Sequence, residues 1–77
     1  NLEEVSVKPD SEITSLKLRE AKIPEKTGLI IIALKKRPGK MIFNPGPDEI
    51  LEVGDSMIVL GTADKIKILN DIANTKI

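Results

Sequence analysis

The 77-residue sequence has no cysteine, histidine, tryptophan or tyrosine. Without cysteine the chain can form neither a disulfide nor a thiolate metal site, and without histidine it lacks the commonest catalytic base and zinc ligand. Its serines have no histidine to activate them, and no pair of carboxylates points to a pocket that would raise one pKa. We therefore expect neither an enzyme nor a metal cofactor.

An excess of charge of one sign is also missing, because twelve basic residues balance twelve acidic ones. Nucleic-acid-binding domains are usually strongly basic, and the single aromatic residue, Phe43, offers no stacking platform for exposed bases. The longest apolar run, Leu29–Leu34, is far too short to cross a bilayer, and no signal peptide precedes it. These observations predict a soluble, cytoplasmic chain that does not itself contact nucleic acid.

The length of the chain allows at most one domain, which we place at 1–77. A domain of this size buries only roughly 60% of the surface of its unfolded chain, so a monomer without disulfides is marginally stable. A second copy of the chain is an economical source of further stability. The first residue is Asn1 and not methionine, so we expect the chain to be part of a longer protein.

Hydrophobic periodicity predicts four strands and two helices. The predicted strands cover Leu2–Val7, Leu29–Leu34, Met41–Phe43 and Ser56–Leu60. The first helix is predicted over 14–21, with Ser15 as its N-cap, and Pro24 is expected to close it. Thr62 is predicted to cap a final helix, whose buried stripe consists of Ile66, Leu69, Ile72 and Ala73. The dipeptide Pro38–Gly39 suits the centre of a type II turn between the second and third strands.

The resulting order, β-α-β-β-β-α, predicts a small α+β domain with a mixed or antiparallel sheet and its helices on one face. The strand over 29–34 is apolar on both faces, so both should be covered. Since two short helices cover only one face, we expect a homodimer in which a second copy covers the other. The candidate dimer interface is Leu29, Ile31 and Ala33, and the pattern leaves open the opposite set of Ile30, Ile32 and Leu34.

Several short blocks of sequence follow one another in a recognisable order. The most specific are ALKK at 33–36, IFNPGPD at 42–48, LEVGD at 51–55 and IVLGT at 58–62. Together with weaker blocks at 11–13, 18–21 and 23–28, they resemble the TrkA-C domain, also called the RCK C-terminal domain. The resemblance covers nearly the whole chain, roughly 5–72.

The resemblance implies a regulatory domain of a potassium channel or transporter, where such domains usually follow a Rossmann-like nucleotide-binding domain and are attached to a membrane transport part. Related domains also occur in antiporters and transcription regulators. Family members form dimers, and some bind a small regulator between the two protomers. In several bacterial members that regulator is cyclic di-AMP.

The ligand-binding residues that the resemblance implies, in a cleft of the dimer, are Lys26, Ile30, Asn44, Pro45 and Pro47. Domains that bind cyclic di-AMP carry an arginine where this chain has Pro24 and an asparagine near the position of Ile30. Proline and isoleucine cannot make those contacts, which are typically worth about 1–3 kcal/mol each. These two positions argue against cyclic di-AMP and leave open another nucleotide-type effector, or no ligand.

Three surface segments allow two interpretations each. The basic cluster could bind phosphate or a membrane surface, but a solvated hairpin tip is the commoner meaning of such a run; its members are Lys35, Lys36, Arg37 and Lys40. The loop at 44–48 could line a cleft, although its prolines favour a rigid connector. Four carboxylates could hold a cation, but the spacing is not that of a calcium loop and ordinary turns are favoured; they are Asp48, Glu49, Glu52 and Asp55.

The sequence thus leads to one preferred function and two alternatives. The preferred function is a homodimeric regulatory domain that transmits ligand occupancy to an attached potassium channel or transporter by shifting a conformational equilibrium. The first alternative is a purely structural assembly domain without a ligand. The second is the effector domain of a transcription regulator whose DNA-binding part lies outside this chain.

Overall fold

The structure, a computed structural model, describes residues 1–74. Residues 75–77, which the predicted domain 1–77 includes, lie outside the described residues. The strands and helices of the described part are, in chain order, β1 (Leu2–Ser6), α1 (Leu18–Ala21), α2 (Ile23–Thr27), β2 (Ile30–Lys36), β3 (Lys40–Phe43), β4 (Ser56–Leu60) and α3 (Ala63–Asn74).

The four strands form one sheet in the order β1-β4-β2-β3, and every neighbouring pair is antiparallel. On its inner face, Met57 of β4 pairs with Val5 of β1 and with Leu34 of β2. These side chains are buried together with Ile23 of α2 and Leu69 of α3 in the hydrophobic core. The predicted α+β class is therefore confirmed, with a fully antiparallel sheet.

The helix predicted over 14–21 begins later than expected. Ser15 does not cap it, because this residue has a φ of 69° and its N–H donates to the carbonyl of Leu51 at 2.7 Å. The N–H of Leu51 in turn donates to the carbonyl of Leu16 at 2.8 Å, so this segment is held beside the chain before β4. The first helix, α1, starts only at Leu18, where the carboxylate of Glu20 accepts the N–H of Lys17 at 2.8 Å.

Pro24 does not close the first helix but lies in the first turn of a second one. Lys22 ends α1 in the left-handed conformation with a φ of 53°, and α2 starts at the next residue. Proline is tolerated in the first turn of a helix, because an N–H there has no partner within the helix. The predicted order therefore lacks one helix, since no helix is predicted over the residues of α2.

The hairpin between β2 and β3 is present, but its turn is not of the predicted type. The N–H of Gly39 donates to the carbonyl of Lys36 at 2.6 Å, which places Arg37 and Pro38 at the centre of the turn. The Arg37–Pro38 peptide bond is cis. A type II turn with Pro38 and Gly39 at its centre is therefore wrong.

The final helix follows the predicted pattern. In α3, Ile66, Leu69 and Ala73 are buried, and Ile72 packs against the same core. The hydroxyl of Thr62, the residue before α3, donates a hydrogen bond to the carboxylate of Asp64. That hydrogen bond holds the pKa of Asp64 below its usual value. The helix contacts α2 and β1, so it lies on the inner face of the sheet.

Candidate ligand groove and dimer surface

The outer face of the sheet carries large apolar side chains that no described element covers. Leu60 of β4 is directly opposite Leu2 of β1 on one side and Ile30 of β2 on the other. Phe43 of β3 is opposite Ala33 of β2 on the same face. Phe43 is 73% exposed and Ile30 is 60% exposed, and Leu2 and Leu60 are exposed as well. We call these four exposed side chains the outer patch.

A β-bulge decides which residues of β2 belong to this face. Ile31 pairs with Val59 and Ala33 pairs with the adjacent Ile58, so Ile32 is an extra residue in β2. The side chains before and after the bulge therefore do not follow one continuous alternation. The predicted division of β2 into two alternating sets is wrong for this reason.

Because of the bulge, the three residues predicted to form the dimer interface do not lie on one face of the sheet. Leu29 is only 1% exposed and lies in the core, and Ile31 packs against that core. Ala33 faces outward but is buried among its neighbours, and Leu34 of the opposite set lies in the core. Of the six residues in the two sets, Ile30 is the most exposed on the outer face. Any contact with a second copy through this face would involve Ile30 rather than Leu29.

A groove of about 450 Å³ lies between the two short helices and the loop that follows β3. Its lining is mostly apolar and comprises Leu18, Arg19, Pro24, Glu25, Leu29, Ile30, Ile31, Pro45 and Pro47. Ile30 belongs both to this groove and to the outer patch. The groove and the outer patch are therefore continuous through one side chain.

The loop that forms one wall of the groove is fixed by backbone hydrogen bonds. The N–H of Leu18 donates to the carbonyl of Glu49 at 2.9 Å, and the N–H of Arg19 donates to that of Pro47 at 3.1 Å. Asn44 starts the loop with a φ of 48°, and its N–H donates to the carbonyl of Ile32 at 2.8 Å. The loop is therefore a firmly held connector, and its prolines line the groove as well.

The structure brings three of the five predicted ligand-binding residues together. Ile30, Pro45 and Pro47 line the groove, whereas Asn44 lies at the bend beside it. Lys26 is exposed on α2 and does not line the groove. Two charged residues of the lining, Arg19 and Glu25, are not predicted from the sequence, because the first helix starts later than predicted and the second helix is not predicted at all.

Arg19, which lines the groove, forms an ion pair with Asp48 of the loop. Arg19 Nη2 lies 2.6 Å from Asp48 Oδ1, and the two side chains are 57% and 69% exposed. At this exposure an ion pair contributes less than about 1 kcal/mol to stability. It is therefore a weak link between α1 and the loop.

The basic hairpin divides into one structural lysine and three exposed cations. The Lys36 ammonium donates hydrogen bonds to the carboxylate of Asp55 and, at 2.8 Å, to the carbonyl of Ile50, and it lies 3.1 Å from Glu52 Oε1. Burial lowers the pKa of Lys36, but the hydrogen bonds and negative charges of Asp55 and Glu52 outweigh burial and raise it above its ordinary value. The other members of the cluster, Lys35, Arg37 and Lys40, are exposed.

Three of the four carboxylates considered as cation ligands are paired with basic side chains. Asp55 and Glu52 contact Lys36, and Asp48 contacts Arg19. Within residues 1–74, no three acidic side chains are placed so that they could hold a metal ion. The same part of the chain contains no helix with the length and apolar character needed to cross a membrane.

Comparison with known proteins gives a family match over residues 2–73, to the TrkA-C domain. The chain belongs to the TrkA-C domain family. The membership predicted from the sequence blocks is thereby confirmed.

This TrkA-C domain is similar to parts of two potassium channel proteins of Methanocaldococcus jannaschii. It is 33% identical over 70 residues to the probable potassium channel protein 2, a match that covers 91% of this chain and 20% of that protein. It is 35% identical over 58 residues to potassium channel protein 1, which covers 75% of this chain and 17% of that protein. The TrkA-C domain thus spans about a fifth of the length of these relatives.

Its fold also matches the RCK_C domain dimer of S. agalactiae BusR, solved in complex with cyclic di-AMP. The TM-score is 0.88 and the identity 30%, and the match covers 95% of this chain and 89% of that chain. BusR has also been solved in complex with its busAB-promoter DNA, where the match covers 35% of that chain. Relatives of this TrkA-C domain thus include both channel proteins and a protein that binds DNA.

Proposed function

We propose that this TrkA-C domain is a cytoplasmic, non-catalytic regulatory module that dimerises through the outer patch and senses a small ligand in the groove. It acts within a longer potassium channel or transporter that also contains a Rossmann-like domain and a membrane part. The observation that carries this proposal is the continuity of the outer patch with the groove through Ile30.

The outer patch is the surface that suits a second copy. Exposed apolar patches of this kind typically mark interaction sites, because isolated exposed apolar residues are usual but clustered ones are not. A two-fold interface uses the same patch on both subunits. The apolar side chains of the outer patch share the face with the exposed Glu4 of β1 and Lys35 of β2, and they can meet their own counterparts across such an axis. The RCK_C domain of BusR, which has the same fold, is a dimer in its complex with cyclic di-AMP.

The groove supports a ligand-sensing role because of its composition and its place. Ligand sites are typically concave and apolar with a few polar groups, and here seven apolar residues accompany Arg19 and Glu25. A ligand in a groove that adjoins the two-fold interface contacts both protomers and favours one relative orientation of the two. Differential affinity for two orientations is the requirement for regulation by population shift.

The proposed role in potassium transport is supported by the similar proteins of known class. The two similar M. jannaschii proteins are named as potassium channel proteins, and this chain corresponds to about a fifth of each. A domain of this size without a membrane-spanning helix among its described residues can act on a pore only through the rest of such a protein. The proposed role is therefore to pull on an attached gate when the dimer changes its geometry.

An aspartate scan of exposed isoleucines tests the proposal. Ile30→Asp places a charge in the proposed interface, where a buried unpaired charge is strongly unfavourable, so the 77-residue chain should become monomeric in analytical ultracentrifugation. Ile68→Asp is the matched control, because Ile68 is exposed on α3, away from the outer patch. A dimer that persists in Ile30→Asp, or that is lost equally in Ile68→Asp, would contradict the proposed interface.

A second candidate is the effector domain of a transcription regulator. It is favoured by the 30% identity to BusR, which has been solved with promoter DNA. In that case the dimer and the groove have the same roles, and only the attached part differs. The balanced charge of this chain opposes direct contact with DNA in either case.

A further inference from the structure

We infer that Arg19 is the anion-binding residue of the groove, and that the ligand is a small organic anion whose apolar body lies between Pro24, Ile30 and the loop prolines. This inference rests on the proposed ligand-sensing role of the groove. It adds the chemical class of the ligand and the side chain that selects it.

Arg19 is the one cation among the described residues that line the groove. A guanidinium has five N–H donors arranged as a fork that matches the two oxygens of a carboxylate or phosphate. Within residues 1–74, the guanidinium makes one ion pair, from Nη2 to Asp48 Oδ1 at 2.6 Å. Its other N–H groups are the donors that an anion in the groove would use.

The backbone of Arg19 is held beside the groove by a hydrogen bond that does not depend on its ion pair. Its N–H donates to the carbonyl of Pro47 at 3.1 Å, and the neighbouring Leu18 is bonded to Glu49. The backbone of Arg19 thus stays beside the groove whether or not its guanidinium contacts Asp48. A ligand anion can share or replace Asp48 at little cost, because the exposed ion pair contributes little to stability.

The other lining residues indicate which kind of molecule carries the anionic group. Pro24, Pro45, Pro47, Leu29 and Ile30 present apolar surface over most of the 450 Å³ groove. Glu25 is the one carboxylate among the lining residues, and it repels a second negative charge placed near α2. An organic phosphate or carboxylate with one anionic end and an apolar body is complementary to this arrangement.

Three small probes distinguish the contribution of the anionic group to binding from that of the apolar body. They also distinguish phosphate from carboxylate as the anionic group. Inorganic phosphate, phenyl phosphate and benzoate are titrated into the 77-residue chain labelled with ¹⁵N, and the Arg19 side-chain N–H signal is followed by NMR. We expect saturable shifts with one or both aromatic anions and weaker binding of inorganic phosphate. Phenyl phosphate binding more tightly than benzoate would assign the anion to phosphate, and the reverse order would assign it to carboxylate.

Arg19→Gln should weaken binding of the aromatic anions roughly 10- to 100-fold, the loss that one charge-assisted contact accounts for. Asp48→Asn frees the guanidinium and should tighten binding a few-fold. Lys67→Gln is the charge-matched control, because it removes one positive charge from an exposed site on α3, and it should bind as the wild type does.

Two results would overturn the inference: no saturable shift at Arg19 with any probe, or equal losses in Arg19→Gln and Lys67→Gln, which would mean diffuse charge attraction. The oligomeric state, measured on the same samples, reports separately on the proposed function. A monomeric chain that still loses phenyl phosphate binding on Arg19→Gln would uphold Arg19 and contradict the dimer.

Discussion

At the scale of single residues, Lys36 is the most consequential charge in the structure. Its ammonium joins β2 to the chain before β4 by contacting Asp55, Glu52 and the carbonyl of Ile50. Asp55 is almost fully buried, with 3% of its side chain exposed, and it also accepts the N–H of Glu52 at 2.9 Å. The pair therefore fixes the turn that leads into the central strand.

Lys36→Met should lower the free energy of unfolding by about 3 kcal/mol, because it leaves the Asp55 carboxylate buried without its cation. Lys35→Met, on the exposed neighbour, should change it by less than about 0.5 kcal/mol. Urea unfolding of both variants and the wild type measures the difference. Equal effects of the two substitutions would show that Lys36 is as solvated as Lys35.

The pH dependence of the same variant follows from the raised pKa of Lys36. Because folding raises this pKa above its ordinary value of 10.5, the stability from the lysine is fully present below that pH and is lost as pH rises through the higher pKa of the folded state. The stability difference between wild type and Lys36→Met should be constant from pH 7 to about pH 9.5 and should shrink above about pH 10.5. A difference that fell already near neutral pH would contradict this assignment.

At the scale of elements, the connection from β4 to α3 passes tightly over the core. A Cβ added at Gly61 would lie 2.2 Å from Cδ2 of Leu29, a side chain that is 1% exposed. Gly61→Ala should therefore cost about 1–3 kcal/mol, as overpacking typically does. Gly46→Ala, with nothing within 4 Å of the added atom, is the matched control and should be nearly neutral in thermal unfolding. A neutral Gly61→Ala would mean that Leu29 can move aside.

The elements also show how far the sequence predicts this structure. The sequence located four strands and α3, because short apolar or weakly alternating segments bounded by turn residues marked the strands and apolar residues at helical spacing marked α3. It missed the break between α1 and α2, since the left-handed conformation of Lys22 has no sequence mark and a proline after it suits a helix start as well as a helix end. It also missed the bulge at Ile32, because six consecutive apolar residues carry no polar mark that assigns a face.

The groove was predictable only in part for the same reason. Ile30, Pro45 and Pro47 were found through the resemblance, whereas Arg19 became visible only when α1 was placed beside the loop. Arg19 and Pro47 are almost thirty positions apart in the chain, and the backbone hydrogen bond between them brings α1 beside the loop. The sequence blocks therefore predict the apolar residues of the groove, whereas its charged residue can be identified only from the folded structure.

At the scale of the whole molecule, ligand binding should be visible as added stability. A ligand that binds only the folded state, at a hundred times its dissociation constant, adds about 2.7 kcal/mol to the free energy of unfolding. For a domain of this size that raises Tm by about 10 °C or more. Thermal unfolding against nucleotides, cyclic di-AMP and duplex DNA measures this shift. A shift with one small molecule would identify a sensor and its input.

Two other outcomes of that measurement would change the proposed function. No shift with any compound would favour a purely structural assembly domain, with sensing left to another part of the longer protein. A shift with duplex DNA would contradict the expectation that this chain does not contact nucleic acid and would favour a transcription regulator.

The position of Ile30 in both the groove and the outer patch has a consequence for dose and response. If the second copy completes the site that the ligand occupies, ligand affinity and subunit affinity are linked, and each raises the other by the same factor. The ligand concentration at half response then depends on how many copies of the domain are held near one another. Subunits tethered in one channel would respond at a lower ligand concentration than the same domains free in dilute solution.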